Sequence, residues 1–333
     1  MRKIEITDNL RREVKTFNGN LFVNTRSVNF QLPINRLNYL LKSINSRTHK
    51  QYKLYVEKLI DEYDDILNAD PLRMEDLILE FDTILHNSQL NSKITNSEFS
   101  FHEKVVHAMR YEDLRSKEFP DYLLNSNLKT CVYCNAQSTL VIEKKFYDKK
   151  KRKVKQVLAK LQLDHYYPKS KYPFLCTSFF NLYPTCANCN LAKGSKLALF
   201  ELYTTTDDLD LFNFKIDDKS IINYYTKPDL KHIKIDLEST TGDIDLLKNH
   251  NELFQIEAIY ESHKDIAEEL MLKAKANPQT YRTMLEKSYS KLFPDPTIID
   301  RLLVGNYTKP EELGKRPMSK YTQDIARQLK LIK

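Results

Sequence analysis

Three stretches at the centre of the chain decide how it is read: TCVYCNAQ (130–137), LQLDHYYPKSKYPF (161–174) and NLYPTCANCNLAKGSK (181–196). They carry two Cys-x-x-Cys pairs, Cys131 with Cys134 and Cys186 with Cys189. Two thiolates three positions apart grip one ion from a tight turn. Two such turns complete the closed tetrahedral shell of four sulfurs that a structural Zn²⁺ prefers. A thioredoxin-like reading needs one pair at the start of a helix and leaves the second unexplained. The fifth cysteine, Cys176, has no place in this set and reads as a small buried hydrophobe.

Between and after the pairs come Asp164-His165, then Asn181, then Asn190 directly behind the second pair, with Lys193 three residues further on. In that order and at those spacings, residues 131–196 resemble the HNH, or ββα-metal, endonuclease motif in its cysteine-framed form. The resemblance implies an Asp-His pair ending a first strand, an Asn on a second strand, and a third His or Asn opening the helix that follows. Asn190 stands where many members carry His, which shifts metal preference toward oxygen ligands. The implied fold class is α+β: a mainly helical chain around a central zinc-pinned ββα finger, with a small β segment after it. A weaker likeness runs from AMRYEDLR (108–115) to KRPMSKYTQDIARQL (315–329). It is similar to bacterial HNH proteins often paired with an ATPase in anti-phage defence, the Septu-type pairs among them. That likeness implies a nuclease effector with a separately encoded ATPase as partner.

The chemistry gives each of these residues a task. Hydrolysing a phosphodiester needs a base for the attacking water and a cation for the charge on the phosphoryl and leaving oxygens. His165 is the histidine beside a carboxylate, and imidazole titrates near neutral pH. Asp164 and Asn190 each offer an oxygen to a hard cation, a ligand set that suits Mg²⁺ or Mn²⁺ and is poor for Zn²⁺. Asn181 is expected to fix the His165 ring by hydrogen bonding. Lys193 is expected to hold a flanking phosphate as a point charge.

Residues 144–155 are strongly basic, with Lys149, Lys150, Lys151, Arg152 and Lys153 at their centre. Such a run is a solvated hairpin tip or a phosphate-binding arm. Its place just before Asp164-His165 favours the arm. The loop Tyr166–Tyr172 interleaves tyrosines with Lys169 and Lys171, residues suited to a nucleic-acid groove, although the tyrosines equally suit packing.

Outside this centre the pattern is helical. Tyr52, Tyr55, Val56, Leu59, Tyr63, Ile66 and Leu67 recur at three- and four-residue steps, and Leu77–Leu85 and Phe101–Met109 repeat the stripe. Residues 211–237 alternate like short strands, and helical spacing returns from 251. The expected organisation is a helical region 1–125, the finger 126–200, a short β-rich connector 201–250 and a helical region 251–333. Five glycines in 333 residues leave no GxGxxG turn and no phosphate-cradling GxxxxGK loop. The charged start MRKIEITDNLRR lacks the apolar core of a signal peptide, and no stretch is long and apolar enough to span a bilayer. A cytoplasmic protein with no membrane partner is expected. The formal charge of +7 is compatible with nucleic acid and decides little alone. The functional expectation is a metal-dependent endonuclease on DNA, with RNA equally open to the same chemistry. The alternative is a catalytically inactive zinc-stabilised module for nucleic-acid binding or assembly.

Overall fold

The computed structural model describes residues 1–23, 29–94, 98–147, 153–295 and 297–332. Among them the chain is α+β: helices dominate, and the strands pair off into small two-stranded sheets. The strands are β1 (Ile4–Glu5), β2 (Leu140–Tyr147), β3 (Lys153–Lys160), β4 (Gln162–His165), β5 (Leu182–Thr185), β6 (Tyr203–Thr204), β7 (Phe212–Ile216) and β8 (Ile235–Ser239). β1 runs parallel to β6, while β2–β3, β4–β5 and β7–β8 are antiparallel.

The N-terminal stripes form the helices they predict. Lys50–Asp61 and Tyr63–Asn68 bury Tyr55, Val56, Leu59, Ile66 and Leu67. Pro71–Ile84 starts where Asp70 accepts from the Arg73 amide at 3.0 Å, with Pro71 in the first turn, where its missing N–H costs nothing. Phe101–Ala108 opens on a capping box of Ser100 and Glu103. These helices pack directly on the central segment. The Phe81 and Phe174 rings stack with centroids 4.0 Å apart, and Ser178 Oγ donates to the Ile66 carbonyl at 2.7 Å.

Downstream, the alternation over 211–237 forms β7 and β8, but a helix, Asp218–Thr226, interrupts it. Asp217 caps that helix by accepting from the Ser220 amide at 2.9 Å. Helix Ser319–Gln328 from the basic C-terminal stretch covers the free edge of β7. Asp324 accepts from the Phe214 amide, and Gln328 bonds both the amide and the carbonyl of Ile216. Side chains thus satisfy backbone groups that a third strand would otherwise take. Lys320 of this helix is buried and paired with Asp324 at 3.0 Å. No helix among the described residues is long and apolar enough to cross a membrane.

Candidate functional site

The two cysteine pairs meet. The Sγ atoms of Cys131, Cys134, Cys186 and Cys189 all lie within 4.8 Å of one another, and all four residues are buried. Zinc–sulfur bonds of about 2.3 Å in a tetrahedron put the sulfurs about 3.8 Å apart, so the cluster needs little adjustment to hold the ion. The first turn closes when the Asn135 amide donates to the Cys131 carbonyl at 2.8 Å, with Asn135 left-handed at φ 52°. The second opens helix Ala187–Lys193, where Cys186 Sγ accepts from the Cys189 amide at 3.4 Å. The Val132 amide donates to the Pro184 carbonyl at 3.3 Å and joins the turns. Burial pushes the Cys131 thiol up, whereas hydrogen bonds from neighbouring thiols hold Cys186 well below the ordinary range. A dication at the centre lets all four ionise together.

β4 ends on Asp164-His165 and pairs with β5, Asp164 opposite Tyr183 and His165 opposite Leu182. Helix Ala187–Lys193 follows β5 at once and stops at Gly194, whose φ of +54° suits a residue without a Cβ. This strand–strand–helix unit forms one wall of an open cleft of about 380 Å³. Asp164, His165, Asn190, Leu191 and Ser195 line it from the unit, with Tyr111, Arg115, Lys169 and Ser170 around them.

His165 is buried. Its Nε2 lies 3.0 Å from the Cys176 carbonyl, which can only accept, so the proton sits on Nε2. Nδ1 then carries the lone pair and makes no hydrogen bond among the described residues. Burial lowers the His165 pKa to about 3; the Cys176 bond opposes this, and the charges of Lys169, Lys193 and Arg115 add to it. The imidazole is therefore neutral. The Tyr111 ring lies against it, centroids 4.6 Å apart, and Tyr111 Oη donates to the Leu163 carbonyl at 3.1 Å.

Expectations about this site are corrected here, beginning with His165, whose burial takes its titration far below the neutral range expected of it. Asn181 lies in the turn Phe179–Asn181 just before β5 rather than on the strand, and makes no hydrogen bond to the His165 ring among the described residues. It accepts from the Tyr167 amide at 2.7 Å and donates to the Tyr167 and Leu175 carbonyls, tying down the loop between the strands. The ring is fixed by the Cys176 carbonyl, a backbone atom without a side-chain signature. Lys193 is not free for a phosphate. It is fully buried, 3.1 Å from Asp164 Oδ2 and 3.4 Å from Oδ1, and donates to the His165 carbonyl at 2.6 Å. A short helix packed against β4 turns it inward.

Asp164 is also buried and accepts from Tyr133 Oη at 2.7 Å. Desolvation raises its pKa, opposed by Lys193 and Tyr133; desolvation likewise lowers that of Lys193. Asn190 stands in the middle of helix Ala187–Lys193 rather than opening it; it lines the cleft, and its side chain makes no hydrogen bond among the described residues.

Of the basic residues, Lys169 lies at the cleft with its Nζ 4.4 Å from the Tyr111 ring centroid. Lys171 is exposed and does not line the cleft. Tyr166 and Tyr167 are buried, so the tyrosines of this loop pack the core. β2 and β3 pair antiparallel, with Lys153 exposed at the start of β3; Lys149, Lys150, Lys151 and Arg152 lie outside the described residues. Arg115 escaped the residue-by-residue reading. It sits on a π-helical turn, Leu114–Glu118, a distortion frequent at functional sites. The signal was available in AMRYEDLR, which carries both Tyr111 and Arg115.

Compared with known proteins, the chain matches no family model, no curated protein and no solved structure.

Proposed function

We propose that the chain is a metal-dependent HNH endonuclease that hydrolyses phosphodiester bonds in DNA, the nuclease effector of a bacterial anti-phage system working beside a separately encoded ATPase. The observation that carries the reading is the tautomer of His165, fixed by the Cys176 carbonyl in a cleft shared with Asp164 and Asn190. A neutral imidazole with one nitrogen held by a carbonyl has its other lone pair for a water proton. Arg115 and Lys169 bring positive charge to the same cleft, where they orient a phosphate and offset its charge. The four cysteines hold Zn²⁺ and keep β5 and helix Ala187–Lys193 in register with the first turn. Mg²⁺, or Mn²⁺ in its place, bound through oxygens of Asp164 and Asn190, supplies Lewis-acid stabilisation at the phosphoryl group. Asp164 shares its carboxylate between that role and the contacts with Tyr133 and Lys193.

That sharing also supports a second reading, a zinc-stabilised finger that binds nucleic acid or a partner without cleaving. The Lys193 ammonium already neutralises Asp164, the one carboxylate lining the cleft among the described residues. Incubating supercoiled plasmid with the protein, with Mg²⁺, Mn²⁺ or chelator and with any co-encoded ATPase present, separates the two. Nicking that needs the metal and disappears in His165→Ala supports the nuclease. DNA retention without nicking supports the inert module. A parallel RNA substrate identifies the polymer.

A further inference from the structure

The hydroxyl bonded to Asp164 comes from inside the first cysteine pair. Tyr133 lies between Cys131 and Cys134, its side chain fully buried, and its Oη donates to Asp164 Oδ2 at 2.7 Å. Its ring is clamped by the Phe254 ring, stacked at 4.3 Å and 15°, with Tyr183 on another side. Its carbonyl accepts from His250 Nε2 at 2.8 Å, and the neighbouring Cys134 carbonyl accepts from Tyr260 Oη at 2.6 Å. Tyr133 therefore has no rotamer freedom left. Its hydroxyl stands wherever the Cys131–Cys134 turn stands.

We propose that Tyr133 is the positioning residue for the Asp164 carboxylate, and that it transmits the metal-loaded geometry of the cysteine centre to the cation site of the cleft. The proposal rests on the reading of Asp164 as the cation ligand. With Oδ2 held by Tyr133 and by the nearer Lys193 contact, Oδ1 has the longer 3.4 Å contact with Lys193, and the His165 amide also bonds the carboxylate. That oxygen is the one left for a hard cation, and Tyr133 decides which of the two it is.

The test is Mn²⁺ binding to the zinc-loaded full chain, followed by electron paramagnetic resonance, with zinc content and melting temperature measured in parallel. Tyr133→Phe removes one oxygen and retains the stacked ring. It should hold one zinc per chain and weaken Mn²⁺ about 10- to 100-fold, the usual cost of losing a group that orients a metal ligand. Tyr260→Phe removes a buried hydroxyl that donates to the same turn, at the Cys134 carbonyl, without touching Asp164. It should lower the melting temperature comparably and leave Mn²⁺ affinity unchanged. Wild-type affinity in Tyr133→Phe overturns the proposal, as does equal weakening in Tyr260→Phe, or a Tyr133→Phe chain that no longer loads zinc. Asp164→Ala tells this failure from that of the functional reading. If it loses Mn²⁺ while Tyr133→Phe keeps it, only the positioning role falls. If wild type and Asp164→Ala bind Mn²⁺ alike, or neither binds it, Asp164 is not the ligand and both readings fall.

Discussion

The cysteine centre and the cleft share β4, β5 and one short helix, yet they are built on opposite principles. The centre is closed: four sulfurs face one another, and the turn around them is bonded from several sides. Tyr260 and His250 bind its carbonyls, while Asn135 donates to the Leu313 carbonyl and accepts from the Lys320 amide. The cleft is open, with one carboxylate already paired and, among the described residues, one imidazole bonded through a single nitrogen and an Asn side chain without a hydrogen bond. Closed shells stabilise, whereas open ones leave capacity for a ligand. The contrast predicts that damage to the centre spreads through the fold and damage to the cleft stays local.

Cys131→Ser should have the largest effect. It removes one of four sulfurs from a buried site, and structural zinc contributes directly to folding free energy. Zinc content should fall well below one per chain, with a large drop in melting temperature and loss of protection in segment 313–320, which hangs on Asn135. Hydrogen exchange reads that loss. Cys176→Ser, outside the cluster, should be mild; if it were the more damaging change, the ligand set would be wrong.

His165→Ala should do the reverse. Cleavage should drop by about 10²–10⁴, the usual contribution of a general base, with zinc content unchanged. Elemental analysis beside the nicking rate checks both halves. A variant that loses its zinc would erase the distinction between the two sites.

Arg115→Ala and Lys169→Ala sharpen the open side further. The Arg115 side chain is 46% exposed and its ion pair to Glu112 at 3.4 Å lies on the surface, so removing it leaves stability nearly intact. Each variant should weaken DNA binding and reduce the slope of log affinity against log salt by about one unit per lost phosphate contact. An unchanged slope would remove these two side chains from the binding face.

The contrast also explains what the sequence could and could not reveal. The cysteine set was legible because ligand spacing is a one-dimensional code. The order β4, β5, helix was legible because Asp164-His165, Asn181 and Asn190 occur in a familiar sequence. The partners that hold those residues were not. The His165 ring rests on a carbonyl, which every residue possesses, and Asp164 rests on a tyrosine that spacing marks only as a residue between two cysteines. Lys193, expected at a phosphate from its place three residues after Asn190, is instead buried against β4 on Asp164, a pairing that spacing does not encode. Helix Asp218–Thr226 was hidden because strand-like alternation on both sides dominates the window, although Asp217 before it is a fair N-cap signal.

The smallest expected effect lies on the closed side and is one of slope. His250 is fully buried among the rings of Phe200, Phe212, Phe254 and Tyr133, with Nε2 on the Tyr133 carbonyl and Nδ1 unpaired. Burial lowers its pKa to about 3, against about 6.5 for a free imidazole. Between those values the unfolded chain binds a proton that the folded chain refuses, so stability is present above pH 6.5 and falls as pH drops. From pH 7.5 to 5.5 one such group costs about 1.4 kcal/mol. His250→Asn retains a donor for the Tyr133 carbonyl and removes the titration. It should be less stable than wild type at pH 7.5, and that gap should narrow by about 1.4 kcal/mol at pH 5.5. Urea unfolding of zinc-loaded protein at the two pH values measures the gap, and acid effects on the cysteines cancel between the two chains. A gap that stays constant would mean that His250 takes up its proton without unfolding, and the packing around the first turn would then be looser than its contacts imply.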